Sequence, residues 1–142
     1  MTGKEYLNQY YWGKRNIESL RDEILQLEAM AEYVSPVGST VRSSGFSDKV
    51  GKAAANIADK KKKLERMVEE TLELMNDIEA KIEQIDNERY RWILRERYLH
   101  FRKWNQIAQR AYYSLRTVQY NNKKALEAFE KKFPEIEFLS VE

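Results

Sequence analysis

Cysteine is absent from this chain, histidine occurs once, and proline and glycine are scarce, at two and five residues in 142. Without cysteine there are no disulfides and no thiolate chemistry. One histidine, His100, and no clustered carboxylates leave nothing to build a zinc or catalytic metal site. No metal and no cofactor is therefore expected. No His–acid or Lys–nucleophile arrangement stands out either, so no catalytic residues are assigned and an enzyme is not expected. No apolar run approaches the roughly 18 residues of a membrane span, and Met1 to Gln9 lacks the pattern of a signal peptide. The expected setting is the cytoplasm, with no membrane partner. The scarcity of helix breakers, together with long periodic segments, predicts an all-α chain.

What is present is charge, unevenly placed. The formal net charge of +2 hides a segregation. Residues 1–46 carry five Lys/Arg against six Asp/Glu, and 47–85 carry eight against nine. Residues 86–133 carry twelve against five, a local net of +7, and 134–142 carry three acids and no base. A basic module on a nearly neutral body is what phosphate binding requires. The expected organisation is a helical hairpin over 1–85, a basic module over 86–133 and an acidic-apolar tail over 134–142.

The first helix is predicted from Tyr6 to about Glu32, on Leu7, Tyr10, Ile17, Leu20, Ile24, Leu27 and Ala31 at helical spacing. Tyr10, Tyr11 and Trp12 offer either a stacking surface for nucleic acid or cover for the end of a core. Tyr33 to Asp48, with Pro36, Gly38 and Gly45 among its serines, reads as a long connector. Arg42 with Ser39, Thr40, Ser43 and Ser44 could hold a phosphate there, or the segment does no more than join two helices. The second long helix is predicted over Lys49 to Ile85. Ile57, Lys61, Leu64, Val68, Thr71, Met75, Ile78, Ile82 and Ile85 recur alternately four and three apart, a coiled-coil-like seam with polar interruptions. Ile57, Leu64, Val68, Met75, Ile78, Ile82 and Ile85 are its apolar members. Antiparallel pairing with the first helix is the default, and Leu72 and Leu74 add width for a homodimer or another partner. Lys60 to Lys63 spray around this helix and are partly neutralised by Glu65, Glu69, Glu70 and Glu73.

Asp86-Asn87 marks a hinge, either residue being able to cap the helix through RYRWILRERYL. Trp104, Ile107 and Ala108 then make a short apolar stripe, interrupted at Tyr112-Tyr113. Ser114 is a credible N-cap for a second helix, with Val118, Ala125 and Phe129 as its buried face. Arg116, Gln119, Tyr120 and Lys123 fall elsewhere on that helix. A short helix, a turn and a longer helix with cationic exposed positions follow the helix-turn-helix plan, in which the second helix enters the DNA major groove.

The pattern R-Y-L…W-x-x-I-A…Y-S…V…A-L, with the early aromatic cluster and S-S-G-F-S-D-K-V at 43–50, resembles phage-encoded late-gene transcriptional regulators of the ArpU and RinA kind. The C-terminal part of that family is similar to region 4 of bacterial sigma factors. The resemblance covers most of the chain. It implies that Arg97, Tyr98 and Leu99 end the helix before the motif. It makes Trp104, Ile107 and Ala108 the first motif helix, Ser114 the cap, Val118 the inward anchor, and Ala125 and Leu126 the tail. It also implies that Leu115, Arg116, Gln119 and Tyr120 face bases. Arg102, Lys103, Arg110, Lys123 and Lys124 suit phosphate, where charge fixes position without reading sequence. The sequence departs from the family at Tyr112, where Gly is usual, so that a wider or differently shaped turn is expected. It departs again at Asn121, where an apolar residue is usual. If Asn121 is buried its amide needs partners; if exposed, the helix has rotated.

The expected function is a sequence-specific DNA-binding transcriptional regulator, an activator of phage late genes by resemblance. Its expected partners are double-stranded DNA, a second copy of the chain and host RNA polymerase. The alternative is an interaction adaptor that binds another regulator or the polymerase with little DNA affinity of its own.

Overall fold

A computed structural model describes residues 1–34 and 44–136, side chains at 33–34 and 44–47 excepted. Among the described residues the protein is all-α, with no strand. α1 spans Gly3–Val34, α2 Ser44–Glu83, α3 Glu88–Leu94, α4 Trp104–Ala111 and α5 Leu115–Lys132, and a π-helical turn over Arg95–Leu99 continues α3. The phosphate site entertained at Ser39, Thr40, Arg42 and Ser43 lies outside the described residues, as does the tail beyond 136.

Both long helices start earlier than periodicity alone indicates. Thr2 Oγ1 accepts the Glu5 N–H at 3.1 Å, and Glu5 Oε2 accepts the Thr2 N–H at 3.3 Å. This reciprocal capping box satisfies two free donors and starts α1 at Gly3 instead of Tyr6. α2 begins at Ser44, inside the segment read as connector. A single glycine costs a helix only about 1 kcal/mol, which the 40-residue α2 absorbs at Gly45. At its other end α2 tightens, Gln84 N–H and Ile85 N–H reaching back three residues to Lys81 and Ile82. Arg91 Nη1 donates to the Ile85 carbonyl at 2.7 Å, so a side chain of α3 covers the end of α2. Asn87 Oδ1 accepts from the N–H groups of Arg89 and Tyr90 at 2.9 and 3.2 Å and caps α3.

Packing divides the chain into two compact units, Met1–Trp12 with Thr71–Glu142, and Gly13–Glu70. This is a division by contact, whereas the boundary at 85/86 is one by charge. In the first unit, Tyr6 and Leu7 of α1 and Ile78, Ile82 and Ile85 of the α2 end share one core with Leu94, Tyr98, Ala125, Phe129 and Phe133. The Tyr6 and Phe129 rings stack at 5.9 Å, and Phe129 meets Phe133 at 5.1 Å. Gly3 lets the start of α1 approach α5. Its N–H donates to Glu130 Oε1 at 2.7 Å, and a Cβ there would stand 2.8 Å from Glu130 Cγ. Ile78, Ile82 and Ile85 are thus enclosed within one chain and are not open to a second copy. Residues 86–133 likewise borrow core from α1 and α2.

Tyr10 and Tyr11 are engaged inside this unit. Both rings meet Phe101, at 5.2 and 5.5 Å, and hold the loop before α4, where Phe101 has φ 56°. Tyr6 donates to Asp77, which also accepts from Lys81 Nζ at 2.8 Å. Burial first, then the bond to Asp77, pushes the Tyr6 phenol well above its usual range. The bonds from Lys81 and then Tyr6 hold the Asp77 carboxyl below its own.

In the second unit α1 and α2 run antiparallel, joined by Glu23–Lys60 and Glu28–Lys61 ion pairs, both at 2.8 Å. Leu20 and Ile24 are buried, and Ile57 and Leu64 are half-buried, while Val68 is exposed. Leu27, Met30, Ala31, Val50, Ala53, Ala54 and Ile57 line most of an apolar cavity of about 390 Å³. Lys60 and Lys61 are therefore committed to intramolecular pairs. Met75, on the other side of the division, is half-buried.

Candidate functional site

α4 and the start of α5 are held by a small second core of Ile107, Ala108 and Val118, flanked by Trp92 and Trp104. The first core holds the rest of α5 through Ala125 and Phe129, with Leu126 half-buried against it. The buried stripe of α5 is Val118, Asn121, Ala125 and Phe129. Asn121 is only 6 % exposed, so the helix keeps the inward face that the other three residues define and is not rotated.

The turn is narrower than expected. Tyr112 takes the left-handed conformation itself, at φ 57° and ψ 36°, and ends α4. Its N–H reaches Gln109 O at 3.3 Å, and Tyr113 N–H reaches Ala108 O at 3.0 Å, so the turn closes tightly without glycine. The expectation of a wider turn is corrected: the chain accepts a residue strained by about 1–2 kcal/mol and keeps the short geometry. Ser114 Oγ then accepts the Thr117 N–H at 3.1 Å and starts α5.

This frame turns Leu115, Arg116, Gln119, Tyr120 and Lys123 outward, all exposed. Their spacing is the complement of the buried stripe. Lys103 is exposed as well, before α4, where its backbone N–H donates to Gln106 Oε1 at 3.0 Å. Lys124 is half-buried, 3.5 Å from Glu127 and 5.6 Å from the Tyr120 ring. An open hollow of about 360 Å³ between the starts of α4 and α5 is lined by Arg97, Lys103, Trp104, Asn105, Leu115 and Gln119.

Arg102 and Arg110 are not free phosphate ligands. Both pair with Glu96, Arg110 Nη2 at 3.5 Å, and Glu96 is itself only 6 % exposed. The π-helical turn explains why the sequence does not announce this. Glu96 and Tyr98 are both buried in that turn although they stand two residues apart, a spacing that marks no single helix face. Three further arginines are also occupied. Arg91 caps α2, Arg95 pairs with Glu79 and Glu83, and Arg97 lies 4.3 Å over the Trp104 ring while donating to Arg102 O at 2.9 Å. Much of the +7 is thus spent in fixing α2, α3 and α4 to one another. Burial raises the Tyr98 phenol, which donates to Asn122 Oδ1 at 3.3 Å and steadies the middle of α5.

A wider, open cleft of about 790 Å³ lies between α3 and the turn, lined by Glu88, Arg89, Trp92, Arg110, Ala111, Tyr112 and Tyr113. Periodicity gives Arg89 no role and marks Tyr113 only as a break in a stripe, since neither belongs to a periodic face. Among the described residues no group of three or more His, Asp or Glu is placed to hold a metal ion, and no helix is long and apolar enough to cross a membrane. Comparison of the chain with family models, curated proteins and solved structures gives no match.

Proposed function

We propose that the protein is a sequence-specific DNA-binding transcriptional regulator whose α4, turn and α5 act as a helix-turn-helix. The observation that carries this reading is the outward face of α5. Leu115, Arg116, Gln119, Tyr120 and Lys123 are exposed on a helix whose opposite stripe is buried, within a segment of net charge +7. With α5 in the major groove, Arg116 bridges guanine O6 and N7, and Gln119 bonds adenine N6 and N7. Tyr120 contacts sugar or a thymine methyl, and Lys103, Lys123 and Lys124 neutralise phosphates. The likeness to phage late-gene regulators makes an activator the form of regulation to test first, with host RNA polymerase as partner. The long α1–α2 hairpin acts as a coiled-coil-like arm for a second copy or for that partner.

The test uses the full chain. Duplex fragments selected from a random pool by the purified protein are expected to share a sequence, with affinity falling steeply as salt rises. A pool without enrichment, or binding indifferent to salt, overturns the reading. A second reading, an interaction adaptor, is favoured by the apolar cavity around Met30 and Val50 in the Gly13–Glu70 unit. It predicts no selected DNA. Met30→Asp would then abolish capture of a protein partner while leaving the helical signal intact.

A further inference from the structure

We infer that the cleft between α3 and the turn is a second DNA contact, a clamp for the sugar–phosphate strand beside the bases that α5 reads. This inference rests on the proposed function and extends it to a surface outside the recognition helix.

Three observations converge on the cleft. Tyr112 is 95 % exposed and sits at φ 57°, so it contributes nothing to the core while straining the backbone. Glycine would make the same turn without that strain. A large aromatic kept in such a conformation with its whole ring in solvent is a residue held for contact, not for folding. Second, the Arg89 guanidinium lies 5.5 Å over the Tyr113 ring, an arrangement that fixes an exposed cation beside an exposed phenol. Arg110 lines the same cleft, half-exposed but shared with Glu96, and Glu88 stands at its rim, 3.8 Å from Arg91. Third, Tyr112 and Tyr113 immediately precede Ser114, the cap of α5. When the first turns of a recognition helix meet base edges, the residues just before it lie against one wall of the groove, and that wall is a phosphate strand. Phenol hydroxyls and guanidinium groups are phosphate donors, and they carry no sequence information there. Tyr112, Tyr113 and Arg89 thus offer two neutral donors and one cation to a strand running past the end of α5.

The experiment compares the full-length protein with Tyr112→Gly, Tyr112→Phe and Arg89→Ala on the selected duplex. Readouts are affinity against salt, hydroxyl-radical footprints and thermal melting. Tyr112→Gly is expected to melt higher, because the strain is gone. It should bind roughly three- to tenfold more weakly, the size of one lost hydrogen bond, with its base preference unchanged. Its salt slope should match the parent, since no charge is removed, and protection should fade at sugars beside the α5 site. Tyr112→Phe should weaken binding similarly without the rise in melting temperature. Arg89→Ala should lower the salt slope by about one unit. A Tyr112→Gly protein that melts higher yet keeps full affinity and the full footprint overturns the clamp while leaving α5 as the reader. A parent protein that selects no DNA overturns the regulator reading, and the clamp with it.

Discussion

Leu7, Ile78 and Phe129 in one unit are wholly enclosed, while Leu25, Met30 and Val50 in the other stand largely in solvent. The two regions are built from the same two long helices, so composition does not explain the contrast. Number of neighbours does. Among the described residues between Gly13 and Glu70 each helix has only the other to pack on, and a pair of helices shares one seam. Near Tyr6 and Ile82 the same helices meet α3 and α5, which cover further sides and complete a core. The lesson is that enclosed apolar contact is concentrated where the basic module sits, and the other region retains exposed apolar side chains.

The sharpest test pairs Phe129→Ala with Leu25→Ala in urea unfolding followed by circular dichroism. The first is expected to cost about 3–5 kcal/mol and the second less than about 0.5 kcal/mol. Equal losses would erase the contrast.

Within the stable unit, Glu96→Gln is expected to cost about 1–3 kcal/mol, because a buried acceptor of two arginines loses its charge. The same change frees Arg102 and Arg110. Binding to random duplex should therefore strengthen and its salt slope steepen, which filter binding at two salt concentrations would read.

The two faces of α5 repeat the contrast on one helix. Arg116→Ala should leave melting unchanged but lose roughly 1–3 kcal/mol on the selected duplex and relax discrimination at one base pair. Lys123→Ala should weaken all sequences alike. If Arg116→Ala loses selected and random binding equally, Arg116 is a phosphate ligand and the reading face must be reassigned.

The smallest expected effect is on pH dependence. Asp77, depressed by its bonds from Lys81 and Tyr6, stabilises the fold above its unfolded value of 3.8, and that contribution is lost as pH falls through the lower folded value. Asp77→Asn should flatten this acid limb only slightly, since the carboxyl is about half exposed. Tyr6, raised by burial, acts in the opposite direction. Its contribution is complete below the ordinary 10.0 and declines above it, so Tyr6→Phe should remove part of the alkaline limb.

How far the sequence foretold these features depends on the kind of residue. The all-α class, a cap at Asp86 or Asn87, the cap at Ser114 and the inward stripe of Val118, Ala125 and Phe129 follow from local pattern, and the structure carries them with Asn87 as the first cap. The outward exposure of Arg116, Gln119 and Tyr120 follows as the complement of that stripe. The fates of Arg102 and Arg110 are not legible, because no spacing rule marks a glutamate in RYRWILRERYL as buried, and both arginines pair with it. Ile78, Ile82 and Ile85 read as a seam for the first helix, for a second copy or for both, because heptads do not say which helix answers them. Tyr112 is legible as a departure, but the sequence does not say whether the backbone or the turn gives way. The capping box at Thr2 and Glu5 is readable as a T-x-x-E pattern that stands ahead of the first apolar stripe.

Closure of the core by Gly3 on Glu130 and Tyr6 on Phe129 also sets an order of events during synthesis. These contacts join residues 127 apart in the Gly3–Glu130 pair, so the start of α1 must wait until α5 has emerged. Glu23–Lys60 and Glu28–Lys61 require far less chain and can form while α5 is still being made. Contacts of long sequence separation form slowly, since the loop they close must first lose its freedom. The unit that holds Tyr6 and Phe129 therefore closes last, after the Glu23–Lys60 and Glu28–Lys61 pairs can already stand.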